Sequence, residues 1–430
     1  ESTWFEWTYV ALFSVKYLQL REDVGEIGVV GIRSGGAIAW QVMLMPEVKC
    51  GVPINAVGWR SFSGVAKFGD NVAHNLSDDK HRYIAAVEAQ SYAPYVKCPV
   101  LVLCALRDDT FDCDRAYDTY SRIGNDDGNA LVYSSNSGAC IGPNGLNDLD
   151  LFLEKNLKGR EIYIPDTLNV SVKETSDGLE VTVDCDKEGI LEETGVFYAE
   201  ADVKTKCADR DWRQIYRADG KTVKDGRAVC KIKPFEGASA VFVYAYAKYI
   251  NGFRVMSKIT AKRLSNPDPN AVKRRMLFSG KEMDSFGVAE YKEYSIADIF
   301  LEQEAMPKKS IGYGGIAGAF SVGGIKTYKI GSPTYKPDEN ALLEFDAYFH
   351  ADDTLCVSVD VGDMERESER YTYRTEIKGG GKWKRIILKA ADFKGVNCGS
   401  PLSGFAEGRA LVFDCEREET EFAITNILWL

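Results

Sequence analysis

The turn Gly31-Ile32-Arg33-Ser34-Gly35-Gly36 is the part of the sequence whose residue types and spacing bear most directly on chemistry. It follows the short apolar run Ile27–Ile32, which predicts a β-strand, and precedes a helix-compatible stretch. A sharp glycine turn between a strand and a helix lifts one side chain above the sheet. Because the backbone is tightly bent there, such a turn needs small residues two positions before and two positions after the lifted side chain. Gly31 and Gly35 therefore place Arg33 at the centre of the turn.

Arg33 restricts the chemistry at this position. Its guanidinium stays protonated, so it has no deprotonated form that attacks a carbonyl carbon. At the start of a helix it is suited to binding a carboxylate or another anion, unless it is already paired with an Asp of the protein. Ser34 is the alternative centre, with Gly36 two residues after it, but the branched Ile32 two residues before it would crowd the turn. Ser34 is otherwise explained as a small polar residue that caps the helix.

The elements around this turn alternate between strands and helices. Strands are predicted at Ile27–Ile32, Gly51–Val57, Val100–Ala105 and Ala130–Tyr133, and helices at 3–21, Ala37–Met45, Asp112–Ile123 and Leu146–Leu157. Such alternation predicts parallel strand pairing in an α/β domain over residues 1–160.

The order of these parts resembles α/β-hydrolases of the acetyl-xylan-esterase and prolyl-oligopeptidase-like group. The resemblance rests on the run 27–36, the later segment 93–103 (APYVKCPVLVL) and the turn Arg107-Asp108-Asp109. It covers only the last half of that fold, from the helix before the nucleophile strand onward. It therefore implies an N-terminally truncated product in which the strand Ile27–Ile32 exposes an edge.

The resemblance implies a role for each residue near the turn. Arg33 stands where the family carries its Ser nucleophile, and the N–H groups of Ser34 and Gly35 would contribute to an oxyanion hole. Asp108 stands where the family's Asp orients its His, and Asp109 is the immediate alternative. The other explanation of these two Asp residues is ordinary turn and N-cap chemistry after a strand.

The family's His lies in the loop after the last strand, which corresponds here to residues 134–140. Ser137 lies near the position of the lost His, and no His occurs between His81 and His350. Without an imidazole, a hydroxyl at the turn lacks the usual general base. His74 and His81 are alternative bases, and both are otherwise explained as surface side chains.

A different pattern begins at Glu161, where strands of period two are separated by glycine and Asp turns. This pattern predicts a β-sandwich of the immunoglobulin or fibronectin type over residues 161–265. The proline-broken stretch Asn266-Pro267-Asp268-Pro269-Asn270 then predicts a linker.

Residues 271–430 predict a second antiparallel sandwich that resembles galactose-binding-like jelly rolls, which include many carbohydrate-binding modules. Tyr371, Tyr373 and Trp383 are the candidates for stacking on sugar rings. Because aromatic residues are common in strands, cross-strand packing is the alternative.

The composition narrows the classes of partner. The 430 residues carry a net charge of -11, which disfavours binding to nucleic acid or to an anionic membrane surface. No apolar run approaches the ~20 residues of a membrane-spanning helix. The eleven cysteines include no Cys-x-x-Cys pair, which disfavours a zinc ribbon, and several lie in apolar runs. Cysteines in apolar runs behave as small buried hydrophobic residues with free thiols, which favours a reducing, cytoplasmic setting.

We therefore expect a multi-domain chain that combines a partial α/β-hydrolase domain, built on a parallel sheet, with two antiparallel β-sandwich domains. The predicted function is an esterase-like scaffold that is catalytically degenerate and binds a small molecule or a carbohydrate, without metal or cofactor. One alternative is an active carboxylic-ester hydrolase that uses Ser34, and a second is a structural or assembly protein. The sequence does not determine the oligomeric state.

Overall fold

The structure is a computed structural model, and it describes residues 3–69, 76–108, 110–134, 141–280, 286–288, 308–311, 315–322, 324–363, 367–417 and 419–430. Within these ranges it contains one parallel sheet and several antiparallel sheets. The expected combination of an α/β part with antiparallel parts is therefore confirmed. We refer to residues 3–158 as the parallel unit, 169–263 as the first antiparallel unit and 276–429 as the second antiparallel unit.

The parallel unit contains four strands that pair in chain order. They are β1 (Ile27–Ile32), β2 (Val48–Ile54), β3 (Leu101–Ala105) and β4 (Ala130–Ser134). The helices around them are α1 (Thr3–Gln19), α2 (Ser34–Val42), α3 (Asp78–Ala86), α4 (Ala89–Tyr92), α5 (Ala116–Tyr120) and α6 (Gly142–Lys158). Strands β3 and β4 are buried along their whole length. Strand β3 is an interior strand covered on both faces, and β4, the last strand of the sheet, is buried because the first antiparallel unit packs against it.

The observed bounds of several predicted elements differ from the expected ones. The helix predicted at Ala37–Met45 spans Ser34–Val42, and the strand predicted at Gly51–Val57 spans Val48–Ile54. Two other helices differ for local reasons. The helix predicted to begin at Leu146 begins at Gly142, because Pro143 provides the fixed φ that suits a first turn. It ends at Gly159, whose φ of 65° gives a left-handed C-cap. The helix predicted from Asp112 is split into a 3-10 turn, capped by the Asp112 side chain, and the short α5.

The free edge of β1 and the outer face of α1 carry exposed apolar side chains. Among the described residues β1 pairs only with β2, and Val30 is 44% exposed. On α1, Tyr9 and Phe13 are 72% and 74% exposed, and Leu20, directly after the end of the helix, is 84% exposed. A row of large exposed apolar residues on one helix is unusual for the surface of a monomer.

The first antiparallel unit contains a five-stranded and a three-stranded sheet. Strands β7 (Leu191–Ala201), β8 (Arg213–Asp219), β10 (Ala240–Tyr249), β11 (Arg254–Met256) and β12 (Thr260–Arg263) form the larger sheet, and β5 (Asn169–Thr175), β6 (Gly178–Asp184) and β9 (Arg227–Ile232) the smaller one. Its buried apolar residues continue without a break into those of the parallel unit. The two predicted domains thus share one hydrophobic core.

The second antiparallel unit has its own core between two further sheets. One sheet contains β13 (Met276–Phe278), β15 (Lys308–Ile311), β16 (Ala317–Val322), β18 (Leu343–Phe349), β21 (Lys382–Leu388) and β24 (Glu421–Trp429). The other contains β14 (Phe286–Val288), β17 (Ile325–Thr327), β19 (Asp353–Val361), β20 (Glu369–Ile377), β22 (Lys394–Gly395) and β23 (Gly408–Cys415). No helix in the described part of the chain is long and apolar enough to span a bilayer.

Candidate functional site

Arg33 occupies the apex of the turn between β1 and α2. Its φ of 50° and ψ of -114° lie outside the regions that non-glycine residues normally adopt. The backbone is held there from both sides, because Arg33 N donates to Ile54 O at 2.9 Å and Ala37 N donates to Arg33 O at 3.0 Å. Such strain persists only where the surrounding structure imposes it, and it concentrates at functional sites. The residue at the apex is thus Arg33, and Ser34 already belongs to the helix.

The close approach of backbone at this turn requires Gly31 and Gly36. A Cβ on Gly31 would lie 2.3 Å from Gly35 O, and a Cβ on Gly36 would lie 2.3 Å from the Cβ of Ala56. A Cβ on Gly35 would meet nothing within 4 Å. The expectation that a small residue is needed at Gly35 is therefore wrong, because the tight contact after the apex falls one residue later.

Ser34 and Gly35 lie in the first turn of α2, and Ser34 is exposed to solvent. The first N–H groups of a helix have no acceptor within the helix, which is what an oxyanion hole requires of its donors. The geometry is compatible with that use of the Ser34 and Gly35 N–H groups, which stays a prediction.

The Arg33 guanidinium reaches the carboxylate of Asp108. Their Nη2 and Oδ2 atoms are 3.4 Å apart, and the Asp108 side chain is completely buried, whereas that of Arg33 is 32% exposed. The other Asp108 oxygen accepts a hydrogen bond from Thr110 N at 2.7 Å. Because a buried carboxylate is costly without a partner, the pair compensates the charge of Asp108. The structure thus brings together the two polar residues that the sequence predicted on separate strand ends.

The remaining site candidates of the parallel unit are an exposed residue or lie outside the described residues. Ser137, His74 and Asp109 fall outside the described ranges. His81 is an exposed residue of α3. The described part of the last strand ends at Ser134, whose hydroxyl donates to the carbonyl of Ile141.

A cavity of about 320 Å³ opens beside Asp108 where the three units meet, and we call it the junction cavity. Its lining residues are Gly58, Trp59, Arg60, Phe62, Ser63, Gly64, Asp108, Thr110, Phe111, Asp112 and Arg115 from the parallel unit, Lys206, Cys207 and Ala208 from the first antiparallel unit, and Asp363, Glu367 and Ser368 from the second. Most of them follow the carboxyl ends of β2 and β3. Ligands of open α/β sheets bind outside the carboxyl ends of the strands.

Glu88 holds the loop that forms one wall of the junction cavity. Its carboxylate accepts hydrogen bonds from Trp59 N at 3.0 Å and from Ser61 N at 2.6 Å, and it also accepts one from the Gln90 side chain. Gln90 Oε1 is a second acceptor for Trp59 N, also at 3.0 Å. Trp59 has a φ of 71°, so the loop is held in a conformation that a Trp rarely adopts. Sequence reasoning missed this loop, although its position after a parallel strand was a usable signal.

Two arginines lie over aromatic rings in the walls of the junction cavity. Arg60 lies over the Phe111 ring at 5.2 Å, and Arg115 lies over the Phe62 ring at 5.5 Å. Burial, together with the neighbouring carboxylate of Asp114, raises the pKa of Asp112 to about 7. Asp112 is therefore a group whose charge changes near neutral pH.

Arg107 ties the three units together immediately before Asp108. Its buried guanidinium donates to Ala208 O at 2.7 Å and to Arg210 O at 2.5 Å. The same group lies 3.9 Å from the centre of the Tyr328 ring in the second antiparallel unit. The resemblance included Arg107 in its turn motif, but sequence reasoning gave it no function.

The three aromatic candidates of the second antiparallel unit have different surroundings. Tyr371 and Tyr373 pack, half-buried, against the core of that unit. Trp383 packs instead with Tyr348 and Phe320 in a separate small cluster. These contacts favour the packing explanation for Tyr371 and Tyr373, and contact of any of the three with a ligand stays a prediction.

Comparison with protein-family models gives no match, and comparison with curated proteins gives none either. Solved structures of two kinds resemble parts of the chain. An acetyl xylan esterase from Paenibacillus sp. R4 is 15% identical with a TM-score of 0.30, and the match covers 35% of this chain and 52% of that one. The ferulic-acid-bound Est1E from Butyrivibrio proteoclasticus is 16% identical with a TM-score of 0.26, covering 33% and 62%.

The second kind is represented by a family 11 carbohydrate-binding module from Clostridium thermocellum in complex with a β-1,3-1,4-mixed-linked tetrasaccharide. It is 15% identical with a TM-score of 0.29, and the match covers 37% of this chain and 97% of that one. The similar structures thus include hydrolases, some of which are esterases, and they also include carbohydrate-binding modules. This chain spans about half the length of the acetyl xylan esterase.

Proposed function

We propose that this chain is a serine-hydrolase-like scaffold that does not hydrolyse esters and that binds a small ligand in the junction cavity. The observation that carries the proposal is the Arg33–Asp108 pair. A guanidinium at the apex of the turn replaces a nucleophile with a group that cannot attack, and it engages the carboxylate that would orient a catalytic base.

Two further observations support the absence of hydrolysis. The hydroxyl of Ser34 belongs to an exposed residue of α2 rather than to the strained apex of the turn. The buried Asp108 carboxylate contacts Arg33 and Thr110, and His81, one of the alternative bases, is an exposed residue of α3. A serine hydroxyl needs such a base to become a nucleophile.

The walls of the junction cavity suggest the chemical class of its ligand. Trp59 and Phe111 provide aromatic surface, and Arg60 and Lys206 provide cations. The walls also carry carboxylates, of which Asp108 is paired with Arg33 and Asp112 with Arg115. A cavity that combines aromatic surface with charged groups of both signs suits a small ligand with an aromatic body whose carboxylate binds Arg60 and Lys206. Arg33 is less suited to bind that carboxylate, because Asp108 already compensates its charge.

Three probes test the two parts of the proposal. Methyl ferulate and a fluorophosphonate report ester hydrolysis, and ferulate reports binding in the cavity. We expect no turnover or labelling above the background of a Ser34→Ala variant. We also expect calorimetric binding of ferulate that Arg60→Gln weakens and that Arg385→Gln, which changes an exposed arginine of β21, leaves unchanged.

Each part of the proposal fails on a different result. Labelling that depends on Ser34 would show that the chain is an active hydrolase and that the nucleophile lies one residue after the apex. Ferulate that does not bind the folded protein, or binds equally to the Arg60→Gln variant, would remove the ligand assignment and leave the absence of hydrolysis standing.

A second candidate function is assembly, and the exposed apolar face of α1 favours it. Tyr9 and Phe13 of α1 and Leu20, directly after it, are large exposed apolar residues on one face, and a contiguous apolar patch of this kind is typical of an interaction surface. A second copy of the chain would cover the same face of its partner symmetrically. Light scattering after gel filtration tests this, since Phe13→Glu should lower the mass of the particle if the copies associate through α1.

A further inference from the structure

A second cavity, of about 430 Å³, lies between the parallel unit and the five-stranded sheet of the first antiparallel unit. We call it the sheet cleft. It is lined by Leu106, Tyr133, Ser134 and Asn144 on one side and by Glu192, Glu193, Phe197, Arg217, Tyr244, Tyr246, Lys248, Arg254 and Met256 on the other. It shares no lining residue with the junction cavity.

Aromatic rings form the wall of the sheet cleft that comes from the antiparallel sheet. Phe197 and Tyr244 are direct partners across β7 and β10, and their rings are stacked with centroids 5.1 Å apart and planes 5° from parallel. Tyr246 continues the row, with its ring centroid 5.9 Å from that of Phe197. Phe197 and Tyr246 are half-buried, so part of each ring remains accessible from the cleft.

The charges around the sheet cleft are compensated within the protein. Arg217 Nε donates to Glu193 at 2.5 Å, and Lys248 Nζ lies 2.9 Å from Glu192. Arg254 is paired with the fully buried Asp148 at 2.7 Å. The hydroxyl of Tyr246 also donates to Glu193. A charged ligand would have to displace one member of these pairs and leave the other uncompensated.

An uncharged ligand rich in hydroxyls has no such cost. Its hydroxyls can donate to the Glu192 and Glu193 carboxylates and accept from Arg217 and Lys248 while the ion pairs stay in place. The C–H face of a sugar ring supplies the apolar surface that packs on an aromatic ring. Both features belong to neutral saccharides.

We propose that the sheet cleft is a binding site for an uncharged saccharide, with the Phe197 and Tyr246 rings against the sugar and the Glu193–Arg217 pair bound to its hydroxyls. The site would be built jointly by the parallel unit and the first antiparallel unit. It is independent of the junction cavity and of the absence of hydrolysis.

Calorimetric titration of the full chain with neutral tetrasaccharides tests the site, using cellotetraose, xylotetraose and mannotetraose, with tetragalacturonate as the charged comparison. We expect at least one neutral probe to bind and tetragalacturonate to bind more weakly or not at all. Tyr246→Ala and Arg217→Ala should each weaken that binding by about tenfold or more. Tyr246→Phe, which keeps the ring and removes only the hydroxyl, should lose less binding affinity than Tyr246→Ala. It also serves as a control for a folding defect caused by removing the ring.

Two control variants outside the sheet cleft test whether the loss of binding is specific to the cleft. Arg227→Ala removes an arginine that is paired with Asp184 at an exposed site outside the cleft, and binding should be unchanged. Trp383→Ala changes the aromatic cluster of the second antiparallel unit, and binding should again be unchanged. The proposal is overturned if none of the neutral probes binds, if tetragalacturonate binds more tightly than they do, or if binding depends on Trp383 and not on Tyr246.

Discussion

Arg210 and Asp114 form a buried, two-point ion pair between the first antiparallel unit and the parallel unit. Nη1 and Nη2 of the arginine each donate to a different carboxylate oxygen at 2.6 Å, and the two side chains are 1% and 6% exposed. The guanidinium also lies 3.5 Å from the centre of the Phe242 ring. The Arg210–Asp114 pair holds the two units together at the carboxyl edge of the parallel sheet, beside the loop that carries Asp112.

Breaking this pair should destabilise the protein strongly. Arg210→Met leaves Asp114 as a buried carboxylate without its partner, and we expect the free energy of unfolding to fall by ~3–5 kcal/mol. Arg210→Met combined with Asp114→Leu should recover much of that loss, because no uncompensated charge remains. Urea titration followed by circular dichroism measures both.

The control for that experiment is Arg227→Met, which breaks the exposed Arg227–Asp184 pair. Pairs of this kind contribute about 1 kcal/mol or less. An equal loss in the Arg227→Met and Arg210→Met variants would contradict the importance assigned to the buried pair.

The two glycines of the turn before and after Arg33 should respond in opposite ways to alanine. Gly31→Ala places a Cβ 2.3 Å from a backbone oxygen, and no side-chain rotation can relieve this clash. We expect the substitution to lower the free energy of unfolding by ~1–3 kcal/mol or more. Gly35→Ala meets open space in a helix and should be neutral or stabilising by up to ~1 kcal/mol. Thermal melting of the two variants distinguishes them, and equal melting temperatures would refute the assignment of the close approach.

Asp112 should make the stability depend on pH in the direction opposite to that of most carboxylates. In the folded protein its pKa is about 7, whereas its ordinary pKa is 3.8. Between these values the folded state holds more protons than the unfolded state, so the free energy of unfolding falls as the pH rises. Asp112→Asn stays neutral and keeps the oxygen that accepts from Asp114 N.

The measurement is the difference in melting temperature between the wild type and the Asp112→Asn variant at a series of pH values. We expect the variant to gain stability relative to the wild type between pH 4 and pH 7 and to keep that advantage at pH 8. A difference that does not change with pH would mean that Asp112 is ionised in the folded protein throughout this range.

Glu88 should be a positioning residue for the junction cavity. Glu88→Ala removes the acceptor of Ser61 N and should cost ~1–3 kcal/mol for the unpaired amide. The freed loop should be cut faster by trypsin at Arg60, an exposed residue, and ferulate should bind more weakly. Glu88→Gln keeps one carbonyl oxygen, so its stability, its rate of cleavage at Arg60 and its affinity for ferulate should lie between those of the wild type and of Glu88→Ala. Cleavage at Arg60 that is no faster in Glu88→Ala would contradict this role.

The parts of this protein that the sequence determined by itself are local. Strand β1 was predicted with the observed bounds Ile27–Ile32, because a short β-branched apolar run before a glycine turn has few other conformations. The apex at Arg33 was inferred from Gly31 and Gly35 together, and the structure supports the steric need for a small residue only at Gly31. The alternation of strands and helices predicted the parallel sheet, since it reflects periodicity within single segments.

The tertiary structure decided which distant side chains meet. Sequence reasoning offered Arg33 either as a free anion site or as a partner of Asp108. Only the order of β1, β2 and β3 in the sheet, which brings the carboxyl ends of β1 and β3 close together, determined that the two residues pair. Arg210 and Asp114 are 96 residues apart, and no local pattern marks either as the partner of the other. Ion pairs and cavities of this kind depend on how loops from separate units pack, because the cost of burying a charge is set by its surroundings and not by its neighbours along the chain.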